Sequence, residues 1–285
     1  MRKKPKPKAY FKWFGKILTI GILLVFLVGV IFFLSVSMGF FGDMPSKREL
    51  KMLENDTASE IFSADSVLIG RYYIYDRTNI SYDKISPYVI NALIATEDVR
   101  FYKHSGVDYR SLGRVLYKSL LLQEESSGGG STISQQLAKN LFPRKNSIPV
   151  SKFKEILIAR KLESVYTKDE IITLYLNTVP FGENAFGIEA AAERYFSKDP
   201  DQLKLEEAAV LVGMLKATTT YNPRRNPEFS RRRRNVVLDQ MAKYEYLTHE
   251  EASKAKELPL VLNYKKLNQN DGIATYFREH LRVQL

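Results

Sequence analysis

Two glutamates fall on the apolar faces of predicted helices, where a carboxylate is costly unless it is used or paired. Glu97 follows Leu93 by four residues and Ile90 by seven, so it lies on the apolar stripe of its helix. Glu155 lies near the middle of an apolar arc on a later helix, whereas Glu163 is predicted to lie outside that arc. Two carboxyls in different surroundings can serve as proton acceptor and proton donor, the pair that glycosyl transfer uses. Taken alone, Glu97 would fit better as a partly exposed helix-end acid or a salt-bridge partner.

A glycine run between these glutamates is followed by Ser131, Thr132 and a helical pattern. The free backbone N–H groups at such a helix start suit a phosphate. Lys139, about two turns along, is a cation that could face the same group. The Gly-Lys-Ser/Thr ending of a P-loop is missing, so a nucleotide site is poorly supported. A flexible glycine linker before an ordinary helix is the alternative.

An apolar stretch near the N-terminus predicts a membrane anchor. Residues 17–34 carry no charge, and the apolar character continues to Phe41. A helix of about 20–24 residues spans a hydrocarbon layer of about 30 Å. A buried core helix and a cleaved signal peptide are the alternatives, but the length of the stretch favours an uncleaved signal anchor. Residues 1–16 contain seven Lys or Arg and no acid, so the positive-inside rule predicts a cytoplasmic N-terminus and a chain that continues outside.

The composition excludes several classes of site. The 285 residues include no cysteine, which excludes a disulfide framework, a thiolate zinc site, an iron–sulfur cluster and a cysteine nucleophile. The three histidines lie far apart in the sequence, which argues against a histidine-rich metal cage. The formal charge of +11 is concentrated in the N-terminal tail, so it is not by itself evidence for nucleic acid.

The elements that position these groups follow from caps and periodicity. We predict a basic cytoplasmic tail at 1–16, a transmembrane anchor at 17–41, a linker with a β-hairpin at 42–84, a mainly helical domain at 85–257, and a strand with the start of a further linker at 258–285. The hairpin strands fall within 58–82, and the last strand at 258–264. Ser86 and Pro87 mark a helix start, and capping boxes begin at Thr167 and Thr248.

Five segments of known type occur in order along the helical domain. They are EDVRFYKHSG at 97–106, GSTISQQLAKN at 130–140, KFKE at 152–155, a segment at 168–182 with YLN at 175–177, and RRNVVL at 233–238. Over about residues 86–245 the chain thereby resembles the glycosyltransferase domain of class A penicillin-binding proteins and the monofunctional peptidoglycan glycosyltransferases. The resemblance implies a mainly α, lysozyme-like domain with short flanking β-strands and one N-terminal transmembrane helix.

The resemblance also implies the reaction and its place. Such a domain polymerises lipid II into β-1,4 glycan strands by inverting transfer and releases undecaprenyl pyrophosphate. The implied partners are lipid II, the nascent strand, the bacterial plasma (inner) membrane and cell-wall assembly proteins, with no nucleic acid. The N-terminus would be cytoplasmic and the catalytic domain outside.

The family roles are carried onto matching residues. Glu97 matches the general base, and Glu155 matches a second glutamate that assists the pyrophosphate directly or through a divalent cation, Mg²⁺ or Mn²⁺, which makes it the candidate metal ligand. The candidate substrate-binding residues are Asp98, Arg100, Phe101, His104, Ser131, Thr132, Gln135, Gln136, Lys139, Asn140, Lys152 and Asn177. Ser151 and Ser147 replace arginines common in the family, which puts the placement of a cation in doubt.

Two rival functions use the same residues differently. A lysozyme-like hydrolase also uses a glutamate but needs no pyrophosphate site, so the segment at 130–140 argues against it. A non-catalytic membrane scaffold needs neither Glu97 nor Glu155.

Two further patterns are read as incidental. Ser-x-x-Lys matches at Ser81, Ser151 and Ser253 lack the partner motifs of a transpeptidase, so penicillin binding by this chain is not predicted.

We expect the chain to be the N-terminal part of a bifunctional protein. Residues 231–234, all arginine, are expected to be a solvated basic helix start rather than a nucleic-acid patch.

Overall fold

A computed structural model describes residues 7–53, 59–65, 68–72, 78–121, 130–265 and 280. The chain divides into two compact units. The first comprises Met1–Ser46 and Arg144–Lys154, and the second comprises Lys47–Pro143 and Glu155–Leu285, each within the described residues.

The first unit is built on one long helix, α1 (Pro7–Ser37). Its segment Trp13–Ser37 is long and apolar enough to cross a membrane, and its side chains are mostly exposed up to the last turns, where Val36 is buried. The ring of Phe153 packs against Phe32 and Phe33 of this helix, with centroids 5.3 and 5.9 Å apart. The expected N-terminal apolar helix is therefore confirmed.

A lysine donates hydrogen bonds to the backbone carbonyls that follow α1. The Lys154 Nζ donates to the carbonyl oxygens of Phe41, Gly42 and Asp43, at 3.3, 2.8 and 3.3 Å. The Asn146 side chain also donates to the Phe41 carbonyl, at 2.7 Å. These bonds satisfy carbonyl groups that have no helical partner.

The second unit is mainly helical, as expected. Its elements are α2 (Lys47–Lys51), β1 (Ser59–Phe62), β2 (Leu68–Tyr72), α3 (Pro87–Glu97), α4 (Tyr109–Leu121), α5 (Ile133–Leu141), the second half of α6 (Ile148–Leu162), α7 (Lys168–Thr178), α8 (Ile188–Phe196), α9 (Leu205–Met214), α10 (Pro227–Lys243) and α11 (His249–Glu257). Strands β1 and β2 form the expected antiparallel hairpin; residues 58, 66, 67 and 73–77 of the predicted strand region lie outside the described residues.

The core of the second unit forms around α9. Residues 208–214 of this helix are all buried, and it packs against α3 and α10. Helix α5 packs against α7, and α10 also contacts α3 and α11. Because α3 and α5 carry the first two candidate segments, this packing fixes the helices on which the site residues stand.

Helix starts follow the sequence closely. Thr167 and Thr248 each form the predicted capping box. Ser86 and Pro87 begin α3 at the N-cap and first helical positions, as predicted. The Ser86 hydroxyl, however, donates to the carbonyl of Leu203 at 3.1 Å instead of capping its own helix.

The prediction of a strand at 258–264 is wrong. This segment has no strand assignment; the Asn263 N–H donates to the Tyr195 carbonyl and the Lys265 N–H to the Arg194 carbonyl. Both acceptors lie at the end of α8, which offers only its last carbonyls and no edge for a ladder. The predicted linker beyond 265 lies outside the described residues, apart from residue 280.

Candidate active site

Glu97 is the last residue of α3, and its side chain is 17 % exposed. The Gln136 Nε2 of α5 donates to the Glu97 Oε2 at 2.9 Å. The Arg233 Nη2 of α10 lies 3.9 Å from the Glu97 Oε1, beyond hydrogen-bond distance. Gln136 thus holds one oxygen of the carboxylate. The other oxygen lies near a cation but accepts no hydrogen bond from a described residue.

A buried tyrosine donates a hydrogen bond to the Gln136 side chain that binds Glu97. The Tyr175 hydroxyl of α7 donates to the Gln136 Oε1 at 2.9 Å. Burial, and then the nearby negative charge of Glu97, raise the pKa of Tyr175 well above its usual value. The phenol therefore stays protonated and able to donate at every physiological pH.

The first and second candidate segments are joined through Asp98. Its Oδ2 accepts from the Ile133 backbone N–H at 3.0 Å, and its carboxylate lies 3.0 Å from the His104 Nε2. A carboxylate at the start of α5 is also favoured by the helix dipole. The N-cap Thr132 donates to the Gly106 carbonyl at 2.7 Å. Asp98, His104 and Thr132 therefore already have protein partners.

Gly106 permits a close approach at this junction. Its φ is +85°, and a Cβ there would lie 2.8 Å from the Ala159 carbonyl oxygen of α6. Only glycine fits this conformation and this contact. The first segment thereby packs directly on the helix that carries Glu155.

Arg100 is paired with a buried aspartate. Its Nε and Nη2 donate to Asp108 at 3.0 and 2.9 Å. Burial alone raises the pKa of Asp108, but hydrogen bonds from Ser111 and Arg100 outweigh it and lower the pKa to about 2. The guanidinium of Arg100 is therefore bound to Asp108. The predicted role of Arg100 in substrate binding stays a prediction.

The Asp108 pair should stabilise the fold in a pH-dependent way. The pKa of an unfolded aspartate is about 3.9, so the stabilisation is present above pH 4 and is lost as pH falls towards 2. Asp108→Asn is expected to lower the free energy of unfolding by about 1–3 kcal/mol at pH 7, with the difference from wild type shrinking towards pH 2. Denaturant unfolding across this pH range measures it. Exposed Asp199→Asn is the control, and a difference that stays constant with pH would contradict this account.

Glu163, which is predicted to lie outside the apolar arc, is buried and has polar partners. Its side chain is only 5 % exposed, and the Lys168 Nζ lies 2.7 Å from its Oε2. The Ser134 hydroxyl donates to it at 2.6 Å, and Lys168 also donates to the His104 carbonyl at 2.7 Å. Helix α6 ends at Leu162, and the Glu163 N–H still donates to the Ala159 carbonyl at 3.1 Å. Lys168, the first residue of the fourth segment, thereby ties three segments together.

Lys139 is exposed and stands apart from these networks. It makes no hydrogen bond or ion pair with any residue that the structure describes. It lies three residues after Gln136 on α5, so the two side chains share a face of the helix. Asn140, the next residue, is half-buried.

The other predicted site residues are placed as follows. Glu155 is buried at the boundary of the second unit, Gln135 and Phe101 are buried, Ser131 is half-buried, and Lys152 is half-buried in the first unit. The Gln135 side-chain amide finds no hydrogen-bond partner among the described residues. The Asn177 amide is committed to the backbone of Ile80, at 3.2 and 2.9 Å. Residues 128 and 129 of the glycine run lie outside the described residues.

The described residues hold no group of three His, Asp or Glu side chains that could bind a metal ion. A preformed cage for Mg²⁺ or Mn²⁺ does not fit this part of the chain. Mg²⁺ can also be held by one or two carboxylates together with substrate phosphates, so the assignment of Glu155 as a metal ligand stays a prediction.

The arginine run is only half solvated. Arg231 and Arg232 are exposed, but Arg233 turns towards Glu97. Arg234 is 1 % exposed and donates to the carbonyls of Lys256 and Leu258 at 2.8 and 2.7 Å. The expected solvated helix start is therefore wrong for the last two arginines, because α10 begins at Pro227 and packs this face on α3 and α11.

The Ser-x-x-Lys matches are engaged elsewhere where the structure describes their contacts. Lys154 binds backbone carbonyls near residue 42, Lys256 pairs with Asp239, and the Ser253 hydroxyl donates to the His249 carbonyl. These contacts do not resemble a serine nucleophile with a lysine base.

Residues 65–242 match the family model described as "Transglycosylase". The chain belongs to this family.

Among curated proteins, it is 39 % identical over 253 residues to penicillin-binding protein 1A of Aquifex aeolicus, covering 88 % of this chain and 34 % of that protein. It is 39 % identical over 221 residues to penicillin-binding protein 1A of Escherichia coli, covering 78 % and 26 %. It is 37 % identical over 226 residues to penicillin-binding protein 1F of Bacillus subtilis, covering 79 % and 32 %. The chain thus spans about a third or less of the length of these relatives.

Proposed function

We propose that the chain is a peptidoglycan glycosyltransferase that polymerises lipid II into β-1,4 glycan strands with inversion and releases undecaprenyl pyrophosphate. Membership of the transglycosylase family supports the class of reaction. The observation that carries the proposal is the arrangement on α5. Gln136 holds a half-open Glu97 carboxylate, and Lys139, an exposed cation, stands one turn further along the same face.

In this reaction Glu97 accepts the proton of the GlcNAc 4-hydroxyl as that oxygen attacks C1 of the MurNAc donor. The bond between C1 and the pyrophosphate oxygen breaks, and negative charge gathers on the leaving group. Lys139 offsets that charge. Glu155 assists at the same end, either directly or through Mg²⁺ or Mn²⁺ brought in with the pyrophosphate.

The remaining substrate-binding assignments belong to this proposal. Ser131, Gln135, Asn140 and Lys152 are proposed to line the donor side. The orphan amide of Gln135 supports this for Gln135, because a buried amide without a partner is costly until one arrives. We propose that a further set of residues shapes the site through the protein contacts described above: Asp98, Arg100, His104, Thr132 and Asn177. Phe101 would do so through its burial.

We propose the membrane topology from the basic tail and the apolar helix. Residues 1–16 would lie in the cytoplasm, α1 would cross the bacterial plasma membrane, and the domain at 85–257 would work outside on lipid-linked substrate. We further propose that the domain is the N-terminal part of a bifunctional class A penicillin-binding protein and acts with cell-wall assembly proteins. The similarity to much longer penicillin-binding proteins supports this.

A hydrolase of finished peptidoglycan is the second candidate. It would use Glu97 as well, but it would leave Lys139 without a function. A non-catalytic scaffold would leave both glutamates unused.

Polymerisation of purified lipid II in detergent tests the proposal. We expect long glycan from wild type, and a rate lower by about 10²-fold for Glu155→Gln. If Glu155 acts through a cation, a chelator will lower the wild-type rate and leave the residual rate of the variant unchanged. Exposed Glu250→Gln is the control and should retain the full rate. Release of short glycans from finished peptidoglycan, with no polymer from lipid II, would overturn the proposal in favour of the hydrolase.

A further inference from the structure

We propose that Tyr175 is a positioning residue for the general base, acting through Gln136 to fix which oxygen of Glu97 takes the proton. This inference rests on the proposed function, since it assigns a role within the same reaction. It departs from the expectation that Gln136 is a donor ligand.

The hydrogen bond from Tyr175 sets the orientation of the Gln136 amide. The Tyr175 hydroxyl donates to the Gln136 Oε1 at 2.9 Å, and Tyr175 is 1 % exposed. With its oxygen facing the phenol, the amide presents its NH₂ group to Glu97. The reversed amide would place its oxygen against the carboxylate, where two acceptors meet without a proton. Only the observed orientation satisfies all three side chains.

The two oxygens of the Glu97 carboxylate have different partners. Its Oε2 accepts from the Gln136 Nε2 at 2.9 Å. Its Oε1 makes no such bond with any residue that the structure describes, and the Arg233 Nη2 lies 3.9 Å from it. Within the described part of the chain, the charged or titratable neighbours of Glu97 are Arg233 from α10 and Tyr175 from α7. The geometry leaves Oε1 as the oxygen for the acceptor hydroxyl, with its lone pairs aimed by the bond on Oε2.

The packing of α7 positions Tyr175 against Gln136. Helices α5 and α7 pack against each other, and Tyr175 and Asn177 lie in the last turn of α7. Tyr175 reaches α5, whereas Asn177 holds the backbone at Ile80. The end of α7 is therefore fixed from two sides, which keeps the phenol in place beneath Gln136.

Steady-state kinetics on lipid II test the role of Tyr175. Tyr175→Phe is expected to lower kcat about tenfold with KM within about twofold, because the amide is free to turn and the base loses its alignment. The kcat–pH profile of the variant should also differ in shape from that of wild type, because a loss of folded protein alone would lower the rate equally at every pH.

A matched variant and a double variant separate positioning from stability. Tyr195 is equally buried, and its hydroxyl donates to the Phe181 carbonyl away from Glu97. Tyr195→Phe should leave kcat and the pH profile unchanged. In a Gln136→Met background, Tyr175→Phe should have no further effect, because a residue that acts through another is not additive with its loss. Additive losses, or an unchanged kcat in Tyr175→Phe, would overturn the proposal.

A second readout does not depend on polymerisation. With glutamine selectively labelled with ¹⁵N, the side-chain signal of Gln136 in wild type should shift as the pH is lowered, and Glu97→Gln should abolish that shift. Tyr175→Phe should broaden or move the signal. If wild type makes no polymer while this coupling is present, the proposed function fails and the hydrogen-bond arrangement stands. If the signal is the same in Tyr175→Phe and wild type, the positioning role is rejected whatever the activity.

Discussion

Glu97→Gln is expected to lower the rate of lipid II polymerisation by about 10²–10⁴-fold, the usual contribution of a general base. Glutamine keeps the size of the side chain but cannot accept the proton of the attacking hydroxyl. Because Glu97 lies at the end of α3 with one oxygen outside the hydrogen-bond network, the fold should tolerate the change. Initial rates of glycan formation, with thermal unfolding of the same samples, measure both effects.

Glu183→Gln provides the opposite pattern as a control. Glu183 is 7 % exposed and pairs with Arg224 at 2.8 Å, and Tyr264 donates to it at 2.8 Å. Burial raises the pKa of Glu183, but hydrogen bonds from Arg224 and Tyr264 lower it below its usual value. This variant should lose stability and keep its rate per folded molecule. A Glu97→Gln enzyme with more than about a tenth of the wild-type rate would contradict the assignment of the base.

Lys139→Met is expected to lower kcat/KM for lipid II by about 10²–10³-fold, as does removal of a group that stabilises transition-state charge. Lys139 is exposed and makes no ion pair within the described part of the chain. Its loss should therefore leave the unfolding temperature unchanged while the leaving group loses a counter-charge. Steady-state kinetics and a thermal melt on the same preparation test this.

Two lysines make the comparison specific. Lys139→Arg should restore part of the rate, since a guanidinium also binds phosphate oxygens. Lys254→Met removes an exposed cation that pairs with Glu250 on α11, and it should have no effect on the rate. Equal losses in Lys139→Met and Lys254→Met would indicate a general effect of net charge and would contradict a specific role for Lys139.

The sequence was informative where chemistry and local structure coincide. Glu97 on an apolar stripe, Thr132 at a helix start and the capping boxes at Thr167 and Thr248 depend on neighbours in the chain, so short patterns were enough to locate them. The mainly helical fold and the N-terminal apolar helix followed from the same kind of pattern.

What the sequence did not reveal depends on contacts between distant segments. Tyr175 could not be assigned to Glu97 without knowing that α5 packs on α7. The burial of Glu163 depends on Lys168 and Ser134, and the burial of Arg234 depends on carbonyls more than twenty residues away. The segment at 258–264 has the composition of a strand, but its partner is the end of a helix.

The stoichiometry of lipid release during polymerisation tests the central claim most directly. Purified chain in detergent receives lipid II, and undecaprenyl pyrophosphate is counted against disaccharides incorporated into glycan. A glycosyltransferase of the proposed kind releases one lipid pyrophosphate for each β-1,4 bond formed, and both quantities fall together in Glu97→Gln. Release of lipid without growth of glycan, or cleavage of preformed strands without release of lipid, would contradict the account.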